Sequence, residues 1–208
     1  MPAALVALAT AAALALPASA LAHPIGSPSI STIGVLITKK PASPSNLTTV
    51  KFAWKRIGHV SKATCRLDAL PWKTCKAKVT YTSLLPGRHT FRVKVSGRVG
   101  GHLRSATKTV RWTIDTTPPS APAVSGGSAA WSTGPVTIAG SGSTDPGGAI
   151  ARYEHRTSAD GSTWSGAAAG GSLAVSTPGQ TFVQVRAVDT AGNASAWAPA
   201  VTGAANTA

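Results

Sequence analysis

The cysteines Cys65 and Cys75 are the residues of this chain with the widest choice of chemistry. They lie in the stretch TCRLDALPWKTC and are the only two cysteines in 208 residues. Such a pair can form a disulfide, bind a metal ion together with other ligands, or remain as free thiols. Zinc would need two further ligands, and His59, His89 and His102 are spaced unlike the ligands of common zinc sites. We therefore predict a disulfide, with a metal site and free thiols as the alternatives.

A hairpin would bring the two sulfur atoms together. The segments CRLD and WKTC are predicted to be its arms, turning around residues 69–71. If Cys65 lies directly opposite Cys75, their Cα atoms are about 4.5–5.5 Å apart, which is within the roughly 4.4–6.8 Å that a disulfide requires. The stretch is thus predicted to be a structural staple.

The N-terminal segment indicates which compartment the cysteines meet, and therefore whether they can form a disulfide. Residues 1–22 are almost wholly small and apolar and contain two A-x-A patterns near their end, which predicts a signal peptide. Export favours a disulfide because extracellular compartments are oxidising. The usual positive charges are missing before Lys39, so an uncleaved anchor is the alternative. We expect an extracellular or cell-envelope protein with no membrane span unless the signal segment stays uncleaved.

Catalytic signals are weak. The sequence has no G-x-S-x-G elbow, no H-E-x-x-H and no P-loop, and its six acidic residues form no evident pair for acid–base work. We predict no catalytic residue and no enzyme activity. A spatial Ser-His-Asp arrangement is the alternative that sequence spacing does not test.

Two groups of residues could bind a metal ion. Cleavage after Ala22 would make His23 the N-terminal residue, where its side chain and amine could bind copper. Four further side chains are candidate calcium ligands at the domain ends: Asp145, Asp160, Asp189 and Asn193. Asp and Asn beside Gly more often form turns, so we predict no metal site and no cofactor.

The elements that position these residues are predicted to be strands, so the chain is assigned to the all-β class. Apolar residues alternate at period two in many segments, and no segment keeps a helical period. In the first half the predicted inward-facing positions are Val50, Phe52, Trp54, Val79, Tyr81, Phe91, Val93, Val95, Val110, Trp112 and Ile114. In the second half strands are predicted at 136–138 and 151–157, with a hairpin turn at Asp160-Gly161.

The prolines divide the chain. TTPPSAPA, residues 116–123, predicts a semi-rigid linker. It separates a domain at 30–115 from one at 124–201. The two share a unit, because Pro86-Gly87 precedes HTFRVKV as Pro178-Gly179 precedes TFVQVRAV. We predict two tandem immunoglobulin-like β-sandwiches after the signal peptide.

A set of motifs in the first domain resembles the disulfide-bearing immunoglobulin-like repeats of exported actinobacterial proteins. The shared pattern is C-x-L-D, an aromatic, C, then L-x-x-G-x-H-x-F-x-V and W-T-x-D-T-T-P-P. Here it runs through Cys65, Leu67, Asp68, Trp72, Cys75, Leu84, Gly87, His89, Phe91, Val93, Trp112, Thr113, Asp115, Thr116, Thr117, Pro118 and Pro119. The first domain reads VSGRVGGHLRSA where such repeats continue RAxDxxGN. The second domain, similar to fibronectin-type modules, keeps RAVDTAGN at residues 186–193. The resemblance implies a spacer, stalk or adhesion module without catalysis.

The positive charge is the feature that the resemblance does not explain. Of the net charge of +14, residues 39–115 carry 17 Lys and Arg against two Asp. Eight of these side chains are predicted on wet strand faces or in the divergent loop, as a polyanion site: Lys51, Lys55, Lys78, Arg92, Lys94, Arg98, Arg104 and Arg111. Such a surface attracts teichoic acid, acidic polysaccharide or DNA. The alternative is that the charges keep the sheet edges soluble.

The sequence therefore predicts a non-enzymatic, exported, structural, spacer or adhesion component of the cell envelope. The alternative is a secreted binder of anionic polymers. The expected partners are a cell-wall or extracellular anionic polymer or a surface protein.

Overall fold

The structure is a computed structural model that describes residues 32–205. The predicted signal peptide and His23 lie outside these residues. Within 32–205 no helix is long and apolar enough to cross a membrane. All regular elements of this part of the chain are β-strands, as the alternation of apolar residues predicts.

The first sandwich contains seven strands in two sheets. They are β1 (Gly34–Lys39), β2 (Val50–Ile57), β3 (Lys62–Leu67), β4 (Lys73–Thr74), β5 (Lys78–Tyr81), β6 (Gly87–Val99) and β7 (His102–Ile114). One sheet has the order β1-β2-β5 and the other the order β4-β3-β6-β7. We call them the three-stranded sheet and the four-stranded sheet.

The core of this sandwich confirms the predicted inward positions. Phe52 stacks on Phe91 with 4.2 Å between ring centroids, and Trp112 meets Phe52 edge to face. The remaining predicted positions are buried, or, for Val79 and Tyr81, half-buried against the same cluster. Because apolar residues alternate along each strand, one face of each sheet is buried and the other faces solvent.

The cysteine hairpin forms, but its register differs from the predicted one. Cys65 lies opposite Lys73, not opposite Cys75. The cause is the turn: Asp68 adopts a left-handed conformation, φ 49°, and the Leu70 N–H donates to the Leu67 carbonyl. The disulfide therefore joins diagonal positions, with Cα atoms 5.7 Å apart. That separation is within the usual disulfide range.

The second sandwich contains eight strands. They are β8 (Ala123–Gly126), β9 (Ser128–Ser132), β10 (Val136–Ser141), β11 (Ile150–Ser158), β12 (Ala168–Ala169), β13 (Ser172–Val175), β14 (Gly179–Asp189) and β15 (Val201–Ala205). One sheet has the order β13-β10-β8 and the other β12-β11-β14-β15-β9. The last strand pairs with β14 as far as Ala205, beyond residue 201, the predicted end of this domain.

Both sandwiches divide their first strand between the two sheets. In the second, β8 pairs with β10, whereas β9 pairs in parallel with β15. The crossing occurs at Gly126-Gly127, and a Cβ on Gly126 would overlap the carbonyl oxygen of Thr137. In the first, β1 pairs with β2, and Ser45 then bridges Ile114 in parallel. The two domains thus share a plan beyond the repeated Pro-Gly turn.

The second core is small, and Trp and Arg side chains pack against each other on the outer face of the sandwich. Ile138, Val175, Val183 and Val185 form the buried cluster. On the outer face of β11 and β14, the guanidinium of Arg156 lies between two Trp rings, 4.7 Å from the centroid of Trp164 and 4.5 Å from that of Trp197. Arg186 lies 4.5 Å from the centroid of Trp197. These cation–π contacts hold the segment that contains Trp197 against β14.

Candidate functional site

The structure divides the eight predicted basic residues among three surfaces. Lys51, Lys55 and Lys78 lie on the outer face of the three-stranded sheet, because their neighbours along the strands point into the core. Arg104 pairs with Gly97, so it lies on the core-facing side of the four-stranded sheet. Its side chain is nevertheless exposed. The remaining four lie together on the outer face of the four-stranded sheet: Arg92, Lys94, Arg98 and Arg111. The eight side chains therefore do not form one continuous surface.

Strand β3 adds two basic residues to that last group. Lys62 pairs with Ser96, and Arg66 pairs with Arg92, so both share the outer face of the four-stranded sheet. Neither was among the predicted basic residues, although apolar Ala63, Cys65 and Leu67 alternate with polar residues in KATCRL and so indicate that Lys62 and Arg66 face solvent. We define the basic face as these six side chains: Lys62, Arg66, Arg92, Lys94, Arg98 and Arg111.

A groove with an aromatic wall runs across the basic face. Lys62, Lys94 and Trp72 line it, together with Thr64, Ser96, Leu103, Arg104 and Ser105. Trp72 is partly exposed, and the guanidinium of Arg66 lies 5.2 Å from its ring centroid. Flat aromatic rings next to cations are a common way to bind sugar rings and bases of anionic polymers.

The charges of the basic face have no acidic partners among the described residues. The ion pairs within 32–205 are His89 with Asp68, and Arg152 and Arg186 with Glu154. In the second sandwich Arg152 and Arg186 pair with Glu154, and Arg156 donates to Gln184. The hydrogen bond from Arg186 holds the pKa of Glu154 below its usual value. The first sandwich keeps its positive field available to solvent, whereas the second does not.

Asp68 of the C-x-L-D pattern and His89 of the G-x-H pattern belong to one hydrogen-bonded cluster in the first sandwich. His89 Nδ1 lies 2.8 Å from Asp68 Oδ2, and its Nε2 lies 2.8 Å from the Leu85 carbonyl. The Thr90 N–H donates to Asp68 Oδ1 at 2.6 Å. Burial lowers the pKa of His89, but the hydrogen bonds to Leu85 and Asp68 outweigh it and raise this pKa above its usual value. The cluster fixes the hairpin turn to the start of β6 and has a structural role.

Hydrogen bonds join the linker to the second sandwich and also join the two sandwiches directly. Asn193 Nδ2 donates to the carbonyls of Asp115, at 2.9 Å, and Thr117, at 3.3 Å. The Ser120 N–H donates to the Thr144 carbonyl at 2.8 Å, and the Asn46 N–H donates to the Ala191 carbonyl at 3.1 Å. The prolines at 119 and 122 are buried. The DTTPP and RAVDTAGN motifs therefore meet at the junction between the two sandwiches.

Three carboxylates converge at this junction. Asp115 follows β7, Asp145 lies in the loop between β10 and β11, and Asp189 ends β14. One carboxylate oxygen from each lies within 4.8 Å of the others. Of the four predicted calcium candidates, Asp145 and Asp189 are in this cluster, and Asn193 donates to Asp189 Oδ2 at 2.8 Å.

Asp160 lies elsewhere, in the turn after β11. Its Oδ1 accepts the N–H groups of Ser162 and Thr163 and the hydroxyl of Ser158, at 2.7–2.9 Å. These hydrogen bonds hold the pKa of Asp160 well below its usual value. The prediction of a turn at Asp160-Gly161 is confirmed, and its carboxylate is occupied by that turn.

Solved structures share the fold of this chain. The chain is similar to fibronectin(III)-like modules of CbhA from Clostridium thermocellum, with a TM-score of 0.50 and 15% identity over 83% of this chain and 94% of that one. It is also similar to domains A168–A170 of titin, with a TM-score of 0.52 and 12% identity over 84% of this chain. The chain spans 66% of the titin fragment.

These likenesses show the fold: the chain is a tandem of fibronectin III-like or immunoglobulin-like sandwiches. No protein-family profile matches the sequence. No curated protein is detectably similar to it.

Proposed function

We propose that this chain is an exported, non-enzymatic component of the cell envelope that acts as a structural, spacer or adhesion segment, of the kind found in actinobacterial immunoglobulin-like repeats. The observation that carries the proposal is the junction: the second sandwich is hydrogen-bonded to Asp115 and to the linker, and Asn46 of the first sandwich is hydrogen-bonded to Ala191 of the second. A spacer requires such a joint because a flexible one would not keep its ends apart.

Two further observations support export. The disulfide between Cys65 and Cys75 is of the type that persists in oxidising compartments. Residues 1–22 have the composition of a signal peptide. Cell fractionation and N-terminal sequencing of the natural product test this directly. We expect a chain that begins after Ala20 or Ala22 in the envelope or medium, and a cytoplasmic chain with Met1 retained would contradict the proposal.

Small-angle X-ray scattering of the full-length chain tests the joint. Asn193→Ala removes the side-chain hydrogen bonds to Asp115 and Thr117 and is expected to broaden the distribution of interdomain distances. Asn46→Ala is the matched control: the Asn46 side chain lies beside Gly192 but makes no hydrogen bond within the described residues, and the variant keeps the backbone N–H that donates to Ala191. Equal distributions for both variants and the natural chain would contradict a spacer role for this joint.

The basic face favours a second candidate function, the binding of anionic polymers. Its specific support is the set of six cations on one sheet face beside Trp72, without an acidic partner in the described chain. The competing explanation is that these charges only keep the protein soluble and block sheet pairing.

Two triple variants with the same change of net charge separate these explanations. One is Lys62→Gln, Lys94→Gln and Arg111→Gln on the basic face, and the other is Lys51→Gln, Lys55→Gln and Lys78→Gln on the opposite sheet. Binding to wall teichoic acid, acidic polysaccharide and duplex DNA is measured across a salt series. If the basic face is a specific binding site, only the first variant should lose most of its affinity, and the natural chain should prefer one polymer.

The salt dependence gives the scale of this effect. If all six cations of the basic face contact phosphates, affinity for duplex DNA falls roughly 10³-fold between about 50 and 200 mM salt. If both triple variants lose the same affinity, or if every polymer binds equally well, the positive charge serves to keep the protein soluble and is not a specific binding site.

A further inference from the structure

The carboxylates of Asp115, Asp145 and Asp189 form a concentration of negative charge that the proposed function does not use. Two of these residues are deeply buried, with 6% of Asp115 and 1% of Asp189 exposed. No Lys, Arg or His of the described chain forms an ion pair with any of the three. Three like charges in so small a space are unfavourable unless a cation or a proton neutralises part of them.

The available oxygen atoms point to a cation. Asp145 Oδ1 accepts the Gly147 N–H, but its Oδ2 is enclosed by the protein and accepts no hydrogen bond. Asp115 Oδ1 accepts the Thr117 N–H, and no described residue donates to its Oδ2. A buried, unpartnered carboxylate oxygen is costly. The enclosed oxygen is that of Asp145. Both Oδ2 atoms face the same small region, since a Cβ on Gly148 would lie 3.1 Å from Asp145 Oδ2 and 3.7 Å from Asp115 Oδ2, and an ion bound there would satisfy them.

The loop of residues 145–148 is shaped around this region. A Cβ on Gly147 would overlap the carboxylate of Asp115, and a Cβ on Gly148 would lie 3.1 Å from Asp145 Oδ2. The two glycines therefore leave room for the backbone to approach the carboxylates. Asp189 is held from the other side, because the N–H groups of Gly192 and Asn193 donate to its Oδ1.

We propose that Asp115, Asp145 and Asp189 bind a calcium ion that joins the two sandwiches. All-oxygen, carboxylate-rich sites suit hard divalent cations. A separation of at most 4.8 Å between the ligand oxygens is no more than twice a Ca–O distance of about 2.4 Å. One carboxylate comes from the first sandwich and two from the second, so the ion is a bridge across the linker.

This site differs from the one that the sequence indicated. Asp160 is excluded by distance and by its own turn, and Asp115, from the DTTPP motif, takes its place. The inference does not depend on the proposed cell-envelope role, because ion binding is measured on the purified chain alone.

Calorimetric titration of the chelator-treated full-length chain with CaCl₂ tests the proposal. We expect one calcium ion per chain, with a Kd of about 10⁻⁴–10⁻³ M or tighter, as in other extracellular modules. Asp115→Asn and Asp145→Asn each keep the oxygen that accepts a backbone N–H, and each should weaken binding at least tenfold. Asp160→Asn is the matched control and should bind calcium like the natural chain.

A thermal measurement keeps the test independent of how well the variants fold. CaCl₂ should raise the unfolding temperature of the natural chain. In chelator, Asp145→Asn should unfold at a higher temperature than the natural chain, because one of three repelling charges is gone. The proposal is overturned if about 10 mM CaCl₂ leaves the unfolding temperature unchanged, if MgCl₂ binds equally well, or if both junction variants bind calcium normally.

Discussion

The substitution Asp68→Ala examines whether the cluster at the cysteine hairpin stabilises the first sandwich. The Asp68 carboxylate accepts hydrogen bonds from the Thr90 N–H and faces the ring of His89. Its backbone is left-handed, a conformation that Asp and Asn tolerate better than Ala. The variant therefore removes two polar contacts and strains the turn at the same time.

The expected loss follows from these contacts. A hydrogen bond to a charged group contributes about 1.5–3 kcal/mol, and the lower figure applies because the Asp68 side chain is 39% exposed. Two such bonds give about 3 kcal/mol, and the left-handed conformation adds about 1 kcal/mol for Ala. In a domain of this size, about 1 kcal/mol lowers the unfolding temperature by roughly 4–8 °C. The total of about 4 kcal/mol therefore predicts a decrease of roughly 16 °C or more.

Differential scanning calorimetry at several pH values is the assay. The disulfide lies in the first sandwich, so the transition that shifts with reductant identifies that domain. Because the folded pKa of His89 is raised, its interaction stabilises the fold fully below the unfolded value of about 6.5. That stabilisation is lost as pH rises through the higher folded pKa.

The variant Asp68→Asn is the control for this reasoning. It keeps an acceptor for the Thr90 N–H and tolerates the left-handed turn, but it removes the charge that faces His89. It should therefore cost less stability than Asp68→Ala and flatten the dependence on pH. The reasoning is refuted if Asp68→Ala lowers the transition by less than roughly 3 °C, or if Asp68→Asn keeps the full pH dependence.

Two further substitutions test packing and the staple. Gly140→Ala would place a Cβ 2.6 Å from Val185 Cγ1 in the second core, so calorimetry should show a loss of about 1–3 kcal/mol from overpacking. Gly134→Ala, with open space at its Cβ, should leave the transition unchanged. The double variant Cys65→Ala and Cys75→Ala should lower the free energy of unfolding of the first sandwich by about 2–3 kcal/mol. An equal shift of the second transition would show that the sandwiches unfold as one unit.

The strands and the first core could be read from the sequence because they depend on local alternation. Each residue on a strand points opposite to its neighbour, so Phe52, Phe91 and Trp112 were assigned to the interior without knowledge of their partners. The repeated Pro-Gly turn was readable for the same reason. Gly87 and Gly179 both adopt a positive φ, 129° and 120°, at the start of corresponding strands.

Register and shared faces depended on contacts between strands that the sequence does not specify. The predicted hairpin placed Cys65 opposite Cys75, but the left-handed turn at Asp68 moved the pairing to Lys73. Likewise the eight basic residues were predicted on wet strand faces or in the divergent loop, because alternation reveals only that a side chain is exposed, not which sheet carries it. The order β4-β3-β6-β7 assembled the basic face and added Lys62 and Arg66.

The class of this protein follows from its sequence: a two-domain, all-β chain with one staple, a proline linker and a strongly basic first half. Those properties depend on composition, hydrophobic period and short-range turn chemistry. The meeting of Asp115, Asp145 and Asp189 between the sandwiches is visible only in the folded chain. They come from the end of one strand, a glycine loop and the end of another strand, far apart along the chain. Their proximity exists only once both sandwiches have folded and the linker has docked.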